Sequence, residues 1–198
     1  MKNISRIVIL RQIIQIILRK PGSEMTREPS QVFDEFTISL LFRSYGWSDL
    51  DIITSRKNLN CRVSAVFTDV IEKLICFCSM LIDNRGGEIL LQDEPGGYIW
   101  SLTPVAVQRH TMFFTVDEFD GIWDFNSPPL NRRREMEFVV KRKSMATILI
   151  GELWKVSTLS IEPSYQRSRE VFAREAFERL LDRWEEWTSG RSRLPSNA

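Results

Sequence analysis

Asp93 and Glu94 stand side by side in "QDEPGGYIWS", residues 92–101, directly ahead of Pro95, Gly96 and Gly97. Paired carboxylates of unequal pKa are a common acid/base device, so the pair raises the question of catalysis. Neighbouring residues on a strand point to opposite faces, however, and groups on opposite faces do not share a substrate. Proline at position i+1 and glycine at i+2 suit a type II turn. The stretch therefore reads as a hairpin tip, with Pro95 and Gly96 at those two positions. A second acidic group, "DEFDGIWDF", collects Asp117, Glu118, Asp120 and Asp124. It lacks the alternating DxDxDG spacing of a calcium loop, and Trp123 and Phe125 crowd it. It reads as a solvated strand end or a protein-binding patch.

Basic residues cluster at Arg132, Arg133 and Arg134, at the end of the loop "NSPPLNRRR", and at Lys141, Arg142 and Lys143. Such runs most often protect an exposed strand edge, and too few aromatics are interleaved to stack on nucleic acid. His110 is the single histidine; it excludes sites built from several imidazoles and reads as structural. Cys61, Cys76 and Cys78 are odd in number and fit neither a disulfide framework nor a CxxC half-site, which points to buried thiols in a reducing cytoplasm. Phosphate-loop, dinucleotide and zinc-protease motifs are missing from the sequence. No cofactor, no metal and no nucleic acid partner is expected.

A chain of 198 residues with 43% hydrophobic and 11% aromatic side chains can bury a core without disulfides or metals. Its 27 basic and 26 acidic residues nearly cancel, so no global field attracts nucleic acid or an acidic membrane. The N-terminal "ISRIVILRQIIQIILRK" is interrupted by charge before reaching the ~20 apolar residues of a membrane span. It also lacks the cleavage site of a secretory signal. Arg11, Gln12, Gln15 and Arg19 recur at helical spacing. Three readings stay open: an amphipathic helix whose residues 4–18 lie on a partner or membrane surface, an extra core element, or a leader upstream of a start at Met25. The breaker-rich stretch Pro21–Ser30 then acts as a linker. The organisation expected is an N-terminal extension over 1–24, one domain over 31–187 and a disordered polar tail over 188–198.

Within that domain, period-two alternation marks strands in "FDEFTISLLFRS", "LDIITS", "LNCRVSAVF", "EILLQD", "GYIWSL", "TMFFTVDEF" and "MEFVVKRK", with "YGWSD" as a turn. Helical spacing marks "TDVIEKLICFCSMLID", with Thr68 as N-cap and Gly86 or Gly87 as the left-handed terminator. It returns in "SMATILIGELWKVSTLSI" and "SREVFAREAFERLLDRWEEW", the latter with i,i+4 pairs Glu170–Arg174 and Glu175–Arg179. Few helices separate the strands, so parallel crossover units are excluded. The fold class is α+β, a mostly antiparallel sheet of six to seven strands with helices packed on one face.

"SYGWSDLDI", "FTDVIEKLICFCSMLI", "DEPGGYIWSL" and "EFDGIW", taken in order over about residues 33–155, resemble a group of small bacterial proteins with a GW turn, a meander, one helix and a DEPG hairpin. That group is similar to immunity proteins of secreted bacterial toxins, including those of contact-dependent inhibition systems. The resemblance implies a cytoplasmic, non-enzymatic protein that binds a cognate toxin domain, with Gly46, Trp47, Asp93, Glu94, Pro95, Gly96 and Trp100 as fold determinants. On this reading Asp93, Glu94, Asp117, Glu118, Asp120 and Asp124 are candidate partner-binding residues. The alternative is an enzymatic or small-ligand-binding domain with a pocket between sheet and helices, using Asp93, Glu94 or His110.

Overall fold

The computed structural model describes residues 32–33, 35–121, 131–167, 169 and 171–190. The expectations for residues 1–24 and Met25, for Trp123, Asp124 and Phe125, for Glu170 and for 191–198 lie outside them. The described chain is α+β with antiparallel sheets, as the alternation implies, but its strands divide between two sheets where the sequence suggests one. Strands β2 (Phe36–Phe42), β3 (Trp47–Thr54) and β4 (Asn58–Ser64) form a three-stranded meander. Strands β5 (Gly87–Asp93), β6 (Gly96–Pro104), β7 (Thr111–Phe119) and β8 (Arg132–Lys141) form the second, in the order β5-β6-β7-β8, and β1 (Val32–Phe33) lies parallel to β8. Helix α1 (Val70–Asp83) separates the two groups in the chain; α2 (Arg142–Leu159), the single turn α3 (Pro163–Gln166) and α4 (Arg174–Ser189) follow β8. Consecutive hairpins pair locally, and the helix between β4 and β5 interrupts that pairing.

The core is built from the apolar face of each element. Ile38 and Leu40 of β2, Leu50 and Ile52 of β3, Cys61 and Val63 of β4, and Ile89 and Leu91 of β5 are buried at alternating positions. Leu74, Phe77, Cys78 and Leu81 supply the stripe of α1. A chain of edge-to-face or tilted rings runs from Trp100 and Phe77 through Phe114 and Phe138 to Phe36, with centroids 5.3–5.9 Å apart. Each such pair adds about 0.5–1.5 kcal/mol beyond area burial. Cys61 and Cys78 lie in this interior as expected, whereas Cys76 is exposed. Burial pushes the Cys61 thiol up to about 12, the neighbouring Trp100 indole opposing it, and raises Cys78 as well.

Tertiary contacts moved several local signals by a residue or two. Asp69, not Thr68, caps α1, its Oδ1 accepting from the amides of Ile71 and Glu72 at 2.8 and 3.2 Å. Thr68 is buried, and its hydroxyl accepts from the Gln92 amide, which ties the start of α1 to β5. Asn84, with φ 53°, takes the left-handed terminal position expected of Gly86 or Gly87. The "YGWSD" turn is only Ser44–Gly46, since Trp47, Ser48 and Asp49 already belong to β3. The hairpin tip holds a cis Glu94–Pro95 bond with Pro95 at i+2, so the turn is type VI and not type II. Gly96 remains obligatory there, because a Cβ would stand 2.3 Å from the Phe119 carbonyl oxygen and φ is +115°.

Arg142 departs most from the sequence reading. Expected on a solvated basic edge, it is buried, and its guanidinium donates to the carbonyls of Leu81, Ile82 and Arg109 at 2.7–2.8 Å while lying 5.0 Å from the Trp187 ring. A cation there satisfies the orphan carbonyls at the end of α1. Burial lowers its pKa. Glu152 of α2 similarly accepts from the Leu40 amide, closing part of the free edge of β2. The last helix starts at Arg174, six residues later than its periodicity implies, and ends at Gly190 with φ 65°. Its Glu175–Arg179 pair is present at 3.8 Å. No described helix is long and apolar enough to cross a membrane.

Candidate functional site

Two regions concentrate charge. At the first, strands β7 and β8 bring Asp117 and Glu118 of the acidic cluster to Arg134 and Arg133, seventeen and fifteen positions away in the chain. Strand β8 begins at Arg132, so Arg133 and Arg134 are strand residues and not part of a loop. In the register, Asp117 faces Arg134, Glu118 faces Arg133 and Phe119 faces Arg132. Asp117 is 7% exposed and accepts from Arg134 Nε, and Glu118 accepts from Arg133. A bulge between Val116 and Asp117 leaves Glu135 as the extra residue of β8. Glu135 binds Lys57 Nζ at 2.9 Å, and its carbonyl accepts from the same amine at 2.7 Å, which links β8 to the β3–β4 hairpin. That hydrogen bond holds the Glu135 carboxyl below its ordinary pKa.

The hairpin tip adjoins this end, because Gly96 packs against the backbone of Phe119 and Asp120. Asp93 Oδ1 accepts from the Glu94 amide at 2.7 Å, and Glu94 Oε1 accepts from Ser64 Oγ at 3.2 Å. Asp93, Glu94, Asp117, Glu118 and Asp120 therefore gather at one end of the larger sheet. His110 does not join them. Gly97 pairs with Phe119 and Pro104 with Met112, so His110 sits at the far end of β6 and β7, about 23 Å away at about 3.3 Å per residue. Among the described residues no three His, Cys, Asp or Glu side chains are grouped to hold a metal.

The second region was not singled out in the sequence. It forms where the turn Ser44–Gly46 meets the end of α2 and the segment leading to α4. Arg169 joins them: its guanidinium donates to Ser48 Oγ at 3.0 Å and to the carbonyls of Arg43 and Trp47, and lies 3.9 Å from the Phe42 ring centroid. Partial burial lowers its pKa. Tyr165 packs edge-on against Phe42 at 5.3 Å. Beside these groups opens a cleft of about 850 Å³, lined by Phe42, Arg43, Ser44, Tyr45, Leu159, Glu162, Ser164, Tyr165, Arg167 and Arg169. A smaller cleft shares Phe42, Tyr165 and Arg169 and extends to Ala65, Val171 and Phe172.

Charge and shape here differ from the sheet end. Arg43 and Arg62 both approach the buried carboxylate of Asp49, at 2.6 and 3.7 Å. Arg169 has no carboxylate within ion-pair distance among the described residues, and exposed Arg167 makes no side-chain bond among them. Among the described residues Glu162 is the one acid lining the larger cleft, against Arg43, Arg167 and Arg169. Exposed apolar groups stand among its polar ones: Tyr45 is 91% exposed and Leu159 44%, Val171 of the smaller cleft is 93% exposed, and Ile161, two residues after Leu159, is 67% exposed. Tyr45 also holds φ at 58°, ahead of Gly46 at 84°. The left-handed region costs an L-residue roughly 1–2 kcal/mol.

Arg167 and Arg169 were missed because the helical stripe over 168–187 places Arg169 on a solvated helix face. Arginines in a short break between two helices, just after Pro163, were the available signal. Compared with protein-family models, with curated proteins and with solved structures, the chain matches none.

Proposed function

We propose that this chain is a non-enzymatic, cytoplasmic protein-binding module of the immunity type, which neutralises a cognate bacterial toxin domain by occupying it. The observation that carries the reading is the set of exposed apolar side chains in this region, with Tyr45, Leu159, Ile161 and Val171 presented to solvent. Contiguous exposed apolar groups rimmed by polar ones are typical of interaction sites, and tyrosine and arginine are favoured at binding hot spots. The separation of Asp93 and Glu94 from His110 along β6 favours binding over acid/base catalysis by those groups. Under this reading the carboxylates of Asp93, Glu94 and Asp120 form a second contact set, suited to a basic partner, with Asp124 outside the described residues.

The test is co-expression with a toxin domain encoded beside this chain's gene. Growth rescue together with a stoichiometric complex on gel filtration is the expected outcome. Absence of both rescue and complex would sink the proposal.

A further inference from the structure

We infer that the cleft between the Ser44–Gly46 turn and the end of α2 is the interaction surface, and that it takes an acidic peptide segment of the partner, anchored by an apolar side chain. The inference rests on the binding-module reading and specifies the chemistry of its partner.

Charge complementarity carries it. Two guanidinium groups of the cleft, Arg167 and Arg169, have no carboxylate partner among the described residues, and Arg43 is only partly matched, because Asp49 is shared with Arg62. Guanidinium forks match carboxylates two-pronged. In a chain of 27 basic and 26 acidic residues, unmatched arginines gathered in one concavity are a local feature and not a product of overall charge. Tyr45 adds a second and separate observation. Tyr45 is a large aromatic residue at positive φ that is almost fully solvated, so little of its ring is buried against the fold, and such strain concentrates at functional sites. Tyr45 and Leu159 line the same cleft, where a partner's aliphatic or aromatic side chain would fill its apolar part.

Nucleic acid fits this surface less well. The exposed apolar groups Tyr45 and Leu159 have no counterpart on a phosphate backbone, and Glu162 of the same lining would repel it. An acidic peptide uses both the guanidinium groups and these apolar ones.

Selection of a random 12-residue display library on the full chain tests the inference directly. Enrichment of Asp and Glu around an aliphatic or aromatic residue is expected. Binding of the selected peptides, measured by fluorescence anisotropy, should weaken at least about tenfold for Arg167→Glu. It should weaken by a similar factor for Tyr45→Gly, a change that suits the left-handed backbone and preserves folding. Lys143→Glu, the same charge change on an exposed residue of α2, should alter binding less than about twofold. Neutral or basic consensus peptides, no enrichment, or equal binding by Arg167→Glu would each overturn the inference. So would tighter binding of a fluorescein-labelled single-stranded 20-mer DNA than of the selected peptides. If the native chain rescues growth from the toxin domain and Arg167→Glu rescues equally, the cleft assignment falls while the module reading stands. If the native chain fails to rescue, that reading falls, and the peptide selection alone decides the cleft.

Discussion

The end of the larger sheet and the cleft beside the Ser44–Gly46 turn both concentrate charged groups, yet they use them differently. At the sheet end, Asp117 and Glu118 each meet an arginine of the adjacent strand, and Glu135 meets Lys57. Opposite charges across neighbouring strands stabilise pairing and set register, so their attraction is already used inside the fold. At the cleft, exposed Arg167 meets no acid among the described residues, and Arg169 is held by backbone carbonyls and Ser48 rather than by a carboxylate. A cluster of one sign in a sequence therefore says little about binding until its cross-strand neighbours are known. Asp117 and Glu118 of "DEFD" and Arg134 and Arg133 of "NRRRE" face one another across one ladder.

Five measurements would break or sharpen this contrast. Asp117→Ala removes the buried partner of Arg134 and should cost about 1–2 kcal/mol in urea denaturation, since Arg134 keeps Glu137 as a second acid. It should leave binding of the selected peptides unchanged; weaker binding would make the sheet end a site. Tyr45→Gly should leave stability unchanged or raise it by up to about 1 kcal/mol, because relief of a left-handed side chain offsets the added chain entropy. A loss of stability would show that Tyr45 supports the free fold and is not held for a partner. Glu118→Gln breaks an exposed pair with Arg133 and should cost less than about 1 kcal/mol.

The fourth measurement uses pH. The Glu135 carboxyl has a folded pKa below its unfolded one, so its contribution is present above the unfolded pKa and is lost as pH falls through the folded value. Amide protection factors in β8, which remove the intrinsic slowing of exchange by acid, should fall on acidification more than those in β3 around Ser48, where Arg169 remains charged. An equal fall in both would remove the distinction. The smallest expected effect on stability is that of Arg167→Glu, within about 0.5 kcal/mol, because this exposed side chain makes no bond among the described residues. A larger cost would mean that the cleft, too, uses its charges internally.

Local patterning was legible wherever a single element decided the outcome. The strand "TMFFTVDEF" coincides with β7, and the stripe of Leu74, Cys78 and Leu81 coincides with the buried face of α1. The hairpin around Pro95 was recognised although its turn type was not, because a proline-glycine pair marks a reversal without specifying which peptide bond is cis. Errors arose where a longer-range contact outweighed local preference. Thr68 could cap α1 but bonds Gln92 instead, and Asp69 takes over one residue later. Arg169 sits within a helical stripe but is drawn to the carbonyls of Arg43 and Trp47, and the helix starts only at Arg174.

The sequence by itself determined the α+β class, the antiparallel strands and most of the buried side chains, because the two-residue and 3.6-residue periods follow from the geometry of single elements. The tertiary structure alone split the strands between two sheets, set Arg134 and Arg133 against Asp117 and Glu118, and placed Arg142 in the interior. It alone brought Tyr45, Arg167 and Arg169 to one cleft, from positions more than 120 residues apart. Charge pairing acts through space at a few ångströms, and separation along the chain carries no record of it.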